Sequence, residues 1–127
     1  MGGCHYERVP CSVLVVDDDA AFRQLATRVL TGWGHLVVGE AGTAAEALEC
    51  ATQVRPQAAL VDVGLPDGDG FALAERLAAL PWAVRVVLIS ADVDSAGVRA
   101  AHHVGARGFI GKEQLSSQSL RQLLENG

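Results

Sequence analysis

Ala58-Ala59-Leu60-Val61-Asp62-Val63-Gly64-Leu65-Pro66-Asp67-Gly68-Asp69-Gly70 joins an apolar run to a loop of Gly, Pro and Asp, with one acid at the junction. Such a run, bounded by turn residues, reads as a buried strand that delivers Asp62 to a turn. In an open parallel sheet, ligands bind outside the carboxyl ends of the strands. The Asp62 carboxylate therefore stands where a ligand is expected.

Upstream, Ser12-Val13-Leu14-Val15-Val16 is a second β-branched run, and it ends in Asp17-Asp18-Asp19. Asp19 has an ordinary use as a helix N-cap, because Phe22, Leu25, Ala26, Val29 and Leu30 follow at helical spacing. Capping does not explain Asp17 and Asp18. The helix should stop near Thr31-Gly32-Trp33-Gly34, before a short strand at Leu36-Val37-Val38-Gly39. Thr43 and Glu46 have capping-box spacing and open a second helix with Ala47, Leu48 and Ala51 inward.

Downstream, a third helix runs from Asp69 or Gly70 to about Leu80 on Phe71, Ala74, Leu77 and Ala78. Arg85-Val86-Val87-Leu88-Ile89-Ser90-Ala91 is a fourth strand, and a fourth helix begins near Asp94 or Ser95 and ends at Gly105. Gly108-Phe109-Ile110-Gly111 is a fifth strand that stops at Lys112, and a last helix starts at Ser116 or Ser117 with Leu120, Leu123 and Leu124 inward. Strands alternating with helices through short loops imply an α/β fold, a parallel sheet covered on both faces. Asp17, Asp18, Asp62, Ser90 and Lys112 would then converge on one edge of it.

At 127 residues and half apolar, the chain makes one domain, expected over 12–127 behind a flexible lead-in of residues 1–11. Ten basic and 15 acidic residues give a net charge of −5 with no Lys or Arg run, so direct nucleic-acid binding by this chain is not expected. No apolar run approaches the roughly 18 residues of a membrane span, and the first residues lack a signal-peptide core, so a cytoplasmic location is expected. Cys4, Cys11 and Cys50 have no metal-ligand spacing and read as reduced thiols.

Three gathered carboxylates raise one another's pKa unless a cation joins them. Mg²⁺ suits oxygen ligands of this kind and would hold a phosphoryl group against Asp62. A carboxylate can attack phosphorus to form an aspartyl phosphate, a transfer that needs positioning and charge stabilisation. Lys112 and Ser90 could each take a phosphoryl oxygen.

Val15-Val16-Asp17-Asp18-Asp19, Asp62-Val63-Gly64-Leu65-Pro66 with Gly70, Ser90-Ala91, and Gly105-Ala106-Arg107-Gly108-Phe109-Ile110-Gly111-Lys112 together closely resemble a response-regulator receiver domain of bacterial two-component signalling. The resemblance spans about residues 12–125. It implies a doubly wound, flavodoxin-like (βα)5 domain with strand order 2-1-3-4-5. It further implies Asp62 as phosphoacceptor, Asp18, Asp62 and the Gly64 main-chain carbonyl as direct Mg²⁺ ligands, and Asp17 as the second acid of that site. Ser90 is implied as the switch hydroxyl, Phe109 as the aromatic that repacks with it, and Lys112 as the phosphoryl-binding lysine. The implied partners are a sensor histidine kinase or phosphotransfer protein upstream. Downstream stands a second copy or an output protein, met at the face of helix 4, strand 5 and helix 5.

Relatives usually carry proline after the lysine, where this chain has Glu113. A cis bond before a non-proline residue costs about 2.5–4 kcal/mol, which leaves the Lys112–Glu113 geometry open. Gly64 leaves uncovered a position that many relatives fill, and with Asp92 it is expected to set how fast water reaches an acyl phosphate. Catalysis would be confined to the chain's own phosphorylation and dephosphorylation. Two other functions compete: a degenerate receiver acting by protein contact alone, and a haloacid-dehalogenase-type phosphohydrolase with Asp17 as nucleophile, against which Ala21 and the short chain both stand.

Overall fold

The computed structural model describes residues 10–125. In chain order the elements are β1 (Ser12–Val16), α1 (Ala20–Gly32), β2 (Leu36–Ala41), α2 (Ala44–Val54), β3 (Ala58–Asp62), β4 (Gly64–Leu65) and β5 (Gly68–Asp69). There follow α3 (Gly70–Ala78), β6 (Arg85–Ser90), α4 (Ser95–His103), β7 (Gly108–Gly111), a 3₁₀ turn at Lys112–Gln114 and α5 (Gln118–Glu125). Five strands form one parallel sheet in the order β2-β1-β3-β6-β7, the expected 2-1-3-4-5 arrangement of the main strands.

The strands are apolar throughout because both sheet faces are covered. Side chains alternate between two cores, as the period of two demands. Val13, Val15, Leu60, Val87, Ile89 and Ile110 pack with Ala26 and Leu30 of α1 and Leu120 and Leu124 of α5. Leu14, Val16, Ala59, Val61, Val86 and Leu88 pack with Ala47 and Ala51 of α2, Leu73, Ala74 and Leu77 of α3, and Ala101 of α4. Among the described residues, no helix is long and apolar enough to cross a membrane.

Helix ends follow the local chemistry. Asp19, Thr43, Asp69 and Asp94 each accept a main-chain N–H from the first turn of α1, α2, α3 and α4 in turn. Ser117 Oγ does the same for α5, accepting from Leu120 N–H at 3.2 Å. Helices α1 and α4 end in Schellman motifs, in which Gly34 (φ 91) and Gly105 (φ 83) take the left-handed residue. In α1, Gly34 N–H bonds Thr31 O and His35 N–H bonds Leu30 O; in α4, Gly105 N–H bonds His102 O and Ala106 N–H bonds Ala101 O.

Several details differ from the sequence expectation, among them β2 running on to Ala41 and the 3₁₀ turn after β7. The loop after β3 contains a hairpin of two-residue strands, with Gly64 paired to Asp69 and Leu65 to Gly68, too short to show any period. Glu46 accepts from Gly42 N–H at 3.0 Å rather than from Thr43, so the capping box closes one residue early. Helix α3 stops at Ala78, where Ala79 and Leu80 turn toward Ala83 (φ 48).

Residues 1–9 of the expected lead-in, with Cys4, lie outside the described range. Its last residue, Cys11, is buried, and its N–H bonds His35 Nδ1 at 3.1 Å. His35 Nε2 lies 2.8 Å from Glu125 Oε2, so the far end of α5 is held against the start of β1. Cys11 and Cys50 are free thiols, and burial raises the pKa of both.

Candidate functional site

The acidic residues collect where β1 and β3, neighbours in the sheet, reach their carboxyl ends. One carboxylate oxygen each from Asp17, Asp18 and Asp62 can be chosen so that all lie within 4.8 Å of one another. Asp17 is fully buried, Asp62 is 7% exposed, and Asp18 faces solvent. Lys112, just past β7, brings its Nζ to 2.7 Å from Asp17 Oδ2 and 3.9 Å from Asp62 Oδ1. The same ammonium lies 4.6 Å from the Phe22 ring centroid, a cation–π contact that fixes its approach from α1. No described peptide bond is cis, so Lys112 reaches the acids with Glu113 following in trans.

Burial raises the Asp62 carboxyl above the ordinary range, and the negative charges of Asp17 and Asp18 add to it. Lys112 and a main-chain bond from Gly64 act the other way without cancelling them. Partial burial pulls the Lys112 ammonium down, but its bond to Asp17 and the charges of Asp62, Asp17 and Asp19 outweigh that and hold it above the usual lysine value. Three acids against one cation leave the site short of positive charge. An all-oxygen donor set of this kind fits a hard divalent cation, with Asp17, Asp18 and Asp62 able to hold it.

Ser90 and Phe109 stand to one side, on β6 and β7. Ser90 Oγ accepts from Asp92 N–H at 3.1 Å and borders a cavity of about 500 Å³ also lined by Val63, Asp94, Gly97 and Phe109. The Phe109 ring meets Phe71 edge-on, with centroids 5.9 Å apart. It also fills the space a Cβ on Gly97 would need, 2.4 Å from such an atom. Gly64 is exposed, and a Cβ there would meet only Asp62 Oδ2 at 3.9 Å. His102 and His103 are exposed in the last turn of α4.

Two further residues, Arg23 and Gly70, shape the site. Arg23 Nη1 donates to the Asp17 main-chain oxygen at 2.5 Å while its Nε donates to Glu40 Oε1 at 3.1 Å, tying α1 and β2 to the β1 end. Gly70 packs so closely that a Cβ would stand 2.3 Å from the Asp62 carbonyl oxygen. Gly70 stands among the residues that carry the family resemblance, whereas the one sequence signal for Arg23 is its helical spacing after Asp19.

The response regulator receiver domain family matches residues 13–125. The chain belongs to this family. It is 36% identical over 114 residues to the "Probable transcriptional regulatory protein NarL" of Mycobacterium tuberculosis, covering 89% of this chain and 53% of that protein. The solved signal receiver domain of NarL from that organism superposes with a TM-score of 0.79 at 34% identity, covering 90% of this chain and 96% of that one. A protein-glutamate methylesterase/protein-glutamine glutaminase of Rhizobium johnstonii is 34% identical over 105 residues, 81% of this chain and 30% of that protein. The chain thus spans about half the length of the NarL relative and under a third of the methylesterase. As a receiver domain its acidic pocket is of the kind that accepts phosphoryl and Mg²⁺. Asp17, the nucleophile of the phosphohydrolase alternative, is buried with Lys112 Nζ 2.7 Å from its Oδ2.

Proposed function

We propose that Asp62 accepts a phosphoryl group from a phosphohistidine of a sensor kinase or phosphotransfer protein, in a Mg²⁺-dependent reaction. One observation carries the reading: a raised, nearly buried carboxylate at a strand end, with a lysine ammonium 3.9 Å away and two further acids beside it. An Asp62 oxygen attacks phosphorus, the P–N bond to the donor imidazole breaks, and the imidazole leaves with the bonding pair. Asp17, Asp18, Asp62 and the Gly64 carbonyl would hold the cation, which supplies charge stabilisation to the equatorial oxygens when bound.

Lys112 already stands beside Asp62, held by Asp17, and takes one phosphoryl oxygen. Ser90 Oγ spends a lone pair on Asp92 N–H and keeps its proton to donate to another. Phe109 follows Ser90 across their shared cavity and changes the surface of α4, β7 and α5. An output protein or a second copy, in the cytoplasm, would read that surface. No external substrate is turned over; the only chemistry is gain and loss of the chain's own phosphoryl group. The degenerate-receiver reading gains nothing from Glu113, since Lys112 reaches both acids.

Intact-mass spectrometry after incubation with acetyl phosphate tests the reading, with and without Mg²⁺, on wild type and Asp62→Asn. The expected result is one phosphoryl adduct that needs both Mg²⁺ and Asp62. An adduct on Asp62→Asn, or none on wild type, overturns it.

A further inference from the structure

We propose that Asp67 is a positioning residue that presents the Gly64 carbonyl to a divalent cation by strapping the β4–β5 hairpin to the first turn of α2. The proposal rests on the Mg²⁺ site described above and names a residue on its far side.

In sequence Asp67 looks like an ordinary turn residue after Pro66. In the structure both its carboxylate oxygens are engaged: Oδ1 accepts from Ala44 N–H at 2.7 Å and Oδ2 from Ala45 N–H at 3.0 Å. Those donors are two of the four that a helix start leaves unsatisfied. Thr43, the local cap, takes the next one, from Glu46 N–H at 3.1 Å. So α2 completes its N-terminus with a side chain borrowed from the phosphoacceptor loop. The two main-chain bonds also hold the exposed Asp67 carboxyl below the usual carboxylate range, as expected for an anion at a helix start.

The other end of the hairpin is fixed as well. Asp69 pairs with Gly64 across the hairpin and caps α3 through Ala72 N–H at 2.6 Å. Leu65 is buried in the core between them. Gly64 therefore lies between two anchors, one on α2 and one on α3. Releasing the Asp67 anchor lets the hairpin tip move and takes the Gly64 carbonyl with it. A turn alone would need no carboxylate at position 67; the double bond to a second element does.

Two variants separate the strap from the charge. Asp67→Ala removes the acceptor at an exposed site. Ala44→Pro keeps the carboxylate but deletes the shorter donor, at a first helical position that tolerates proline and follows an extended Thr43 (φ −139, ψ 161). Mg²⁺ affinity is measured by calorimetry, and exchange of the Ala44 and Ala45 amides is followed by NMR with and without Mg²⁺. Both variants should bind Mg²⁺ roughly 10-fold more weakly, the low end for loss of a supporting contact around a metal. Phosphorylation by acetyl phosphate in both should need correspondingly more Mg²⁺ to reach half its maximal extent. Because coupling is reciprocal, Mg²⁺ should slow exchange at Ala44 and Ala45 in wild type, and in Asp67→Ala this protection should vanish.

Wild-type affinity in either variant overturns the strap, since weakening in Asp67→Ala alone would trace to lost charge. A wild-type chain that binds no Mg²⁺ overturns the metal site itself, and the strap with it.

Discussion

The raised Asp62 carboxyl makes a sign-specific prediction. An acid whose pKa is higher folded than unfolded is destabilising once pH exceeds its unfolded value near 3.9, fully so above the folded value. Without Mg²⁺ at pH 7, Asp62→Asn should therefore melt above wild type. The gap should close as pH falls toward about 4, and a gap independent of pH would contradict the electrostatic origin. Gly64 lacks a left-handed φ and has room beside Asp62 Oδ2, so Gly64→Met should fold and screen an acyl phosphate from water. We expect a half-life roughly tenfold longer, about 1.4 kcal/mol of barrier, timed by loss of the adduct mass. At this scale Asp17, Asp18, Asp62 and Lys112 were legible because each ends an apolar run, which says where a strand delivers its side chain. Arg23 and Asp67 were not, because they bond main-chain groups of other elements and nothing local in sequence records that.

Helices and main strands were legible from period and caps, whereas the β4–β5 hairpin has strands too short to carry a period. Its role in holding Gly64 was hidden for the same reason. Turn conformations give predictions here. Gly105 takes φ 83 in the Schellman end of α4, so Gly105→Ala should destabilise by about 1–2 kcal/mol, the cost of a left-handed non-glycine residue. Ala83 occupies φ 48 and is exposed, so Ala83→Gly should be neutral or stabilising by up to about 1 kcal/mol, opposite to a glycine placed in a helix. Chemical denaturation of both variants checks the pair, and equal signs would contradict the backbone account.

For the molecule as a whole, the charges at the carboxyl end of the sheet contribute to stability. Lys112→Ala leaves the buried Asp17 carboxylate with no cation, and stranding a buried charge costs up to about 3–5 kcal/mol. With the Lys112 side chain 26% exposed, we expect the lower part of that range or less. Mg²⁺ should then stabilise Lys112→Ala more than wild type in thermal melts, and equal shifts would show that cation and lysine do not share the acids. Sheet order was expected from family resemblance, since periodicity alone cannot choose among parallel arrangements. That order also bears on how the chain acquires its charges during synthesis. Once β2 has paired with β1, each later main strand adds to the opposite edge: β3 beside β1, β6 beside β3, β7 beside β6. A chain emerging from the ribosome can therefore complete its acid cluster when Asp62 arrives, and must carry it uncompensated until Lys112 emerges. During that interval the three acids lack the Lys112 ammonium, so nascent chains stalled short of residue 112 should depend on Mg²⁺ for compactness more than the finished protein does.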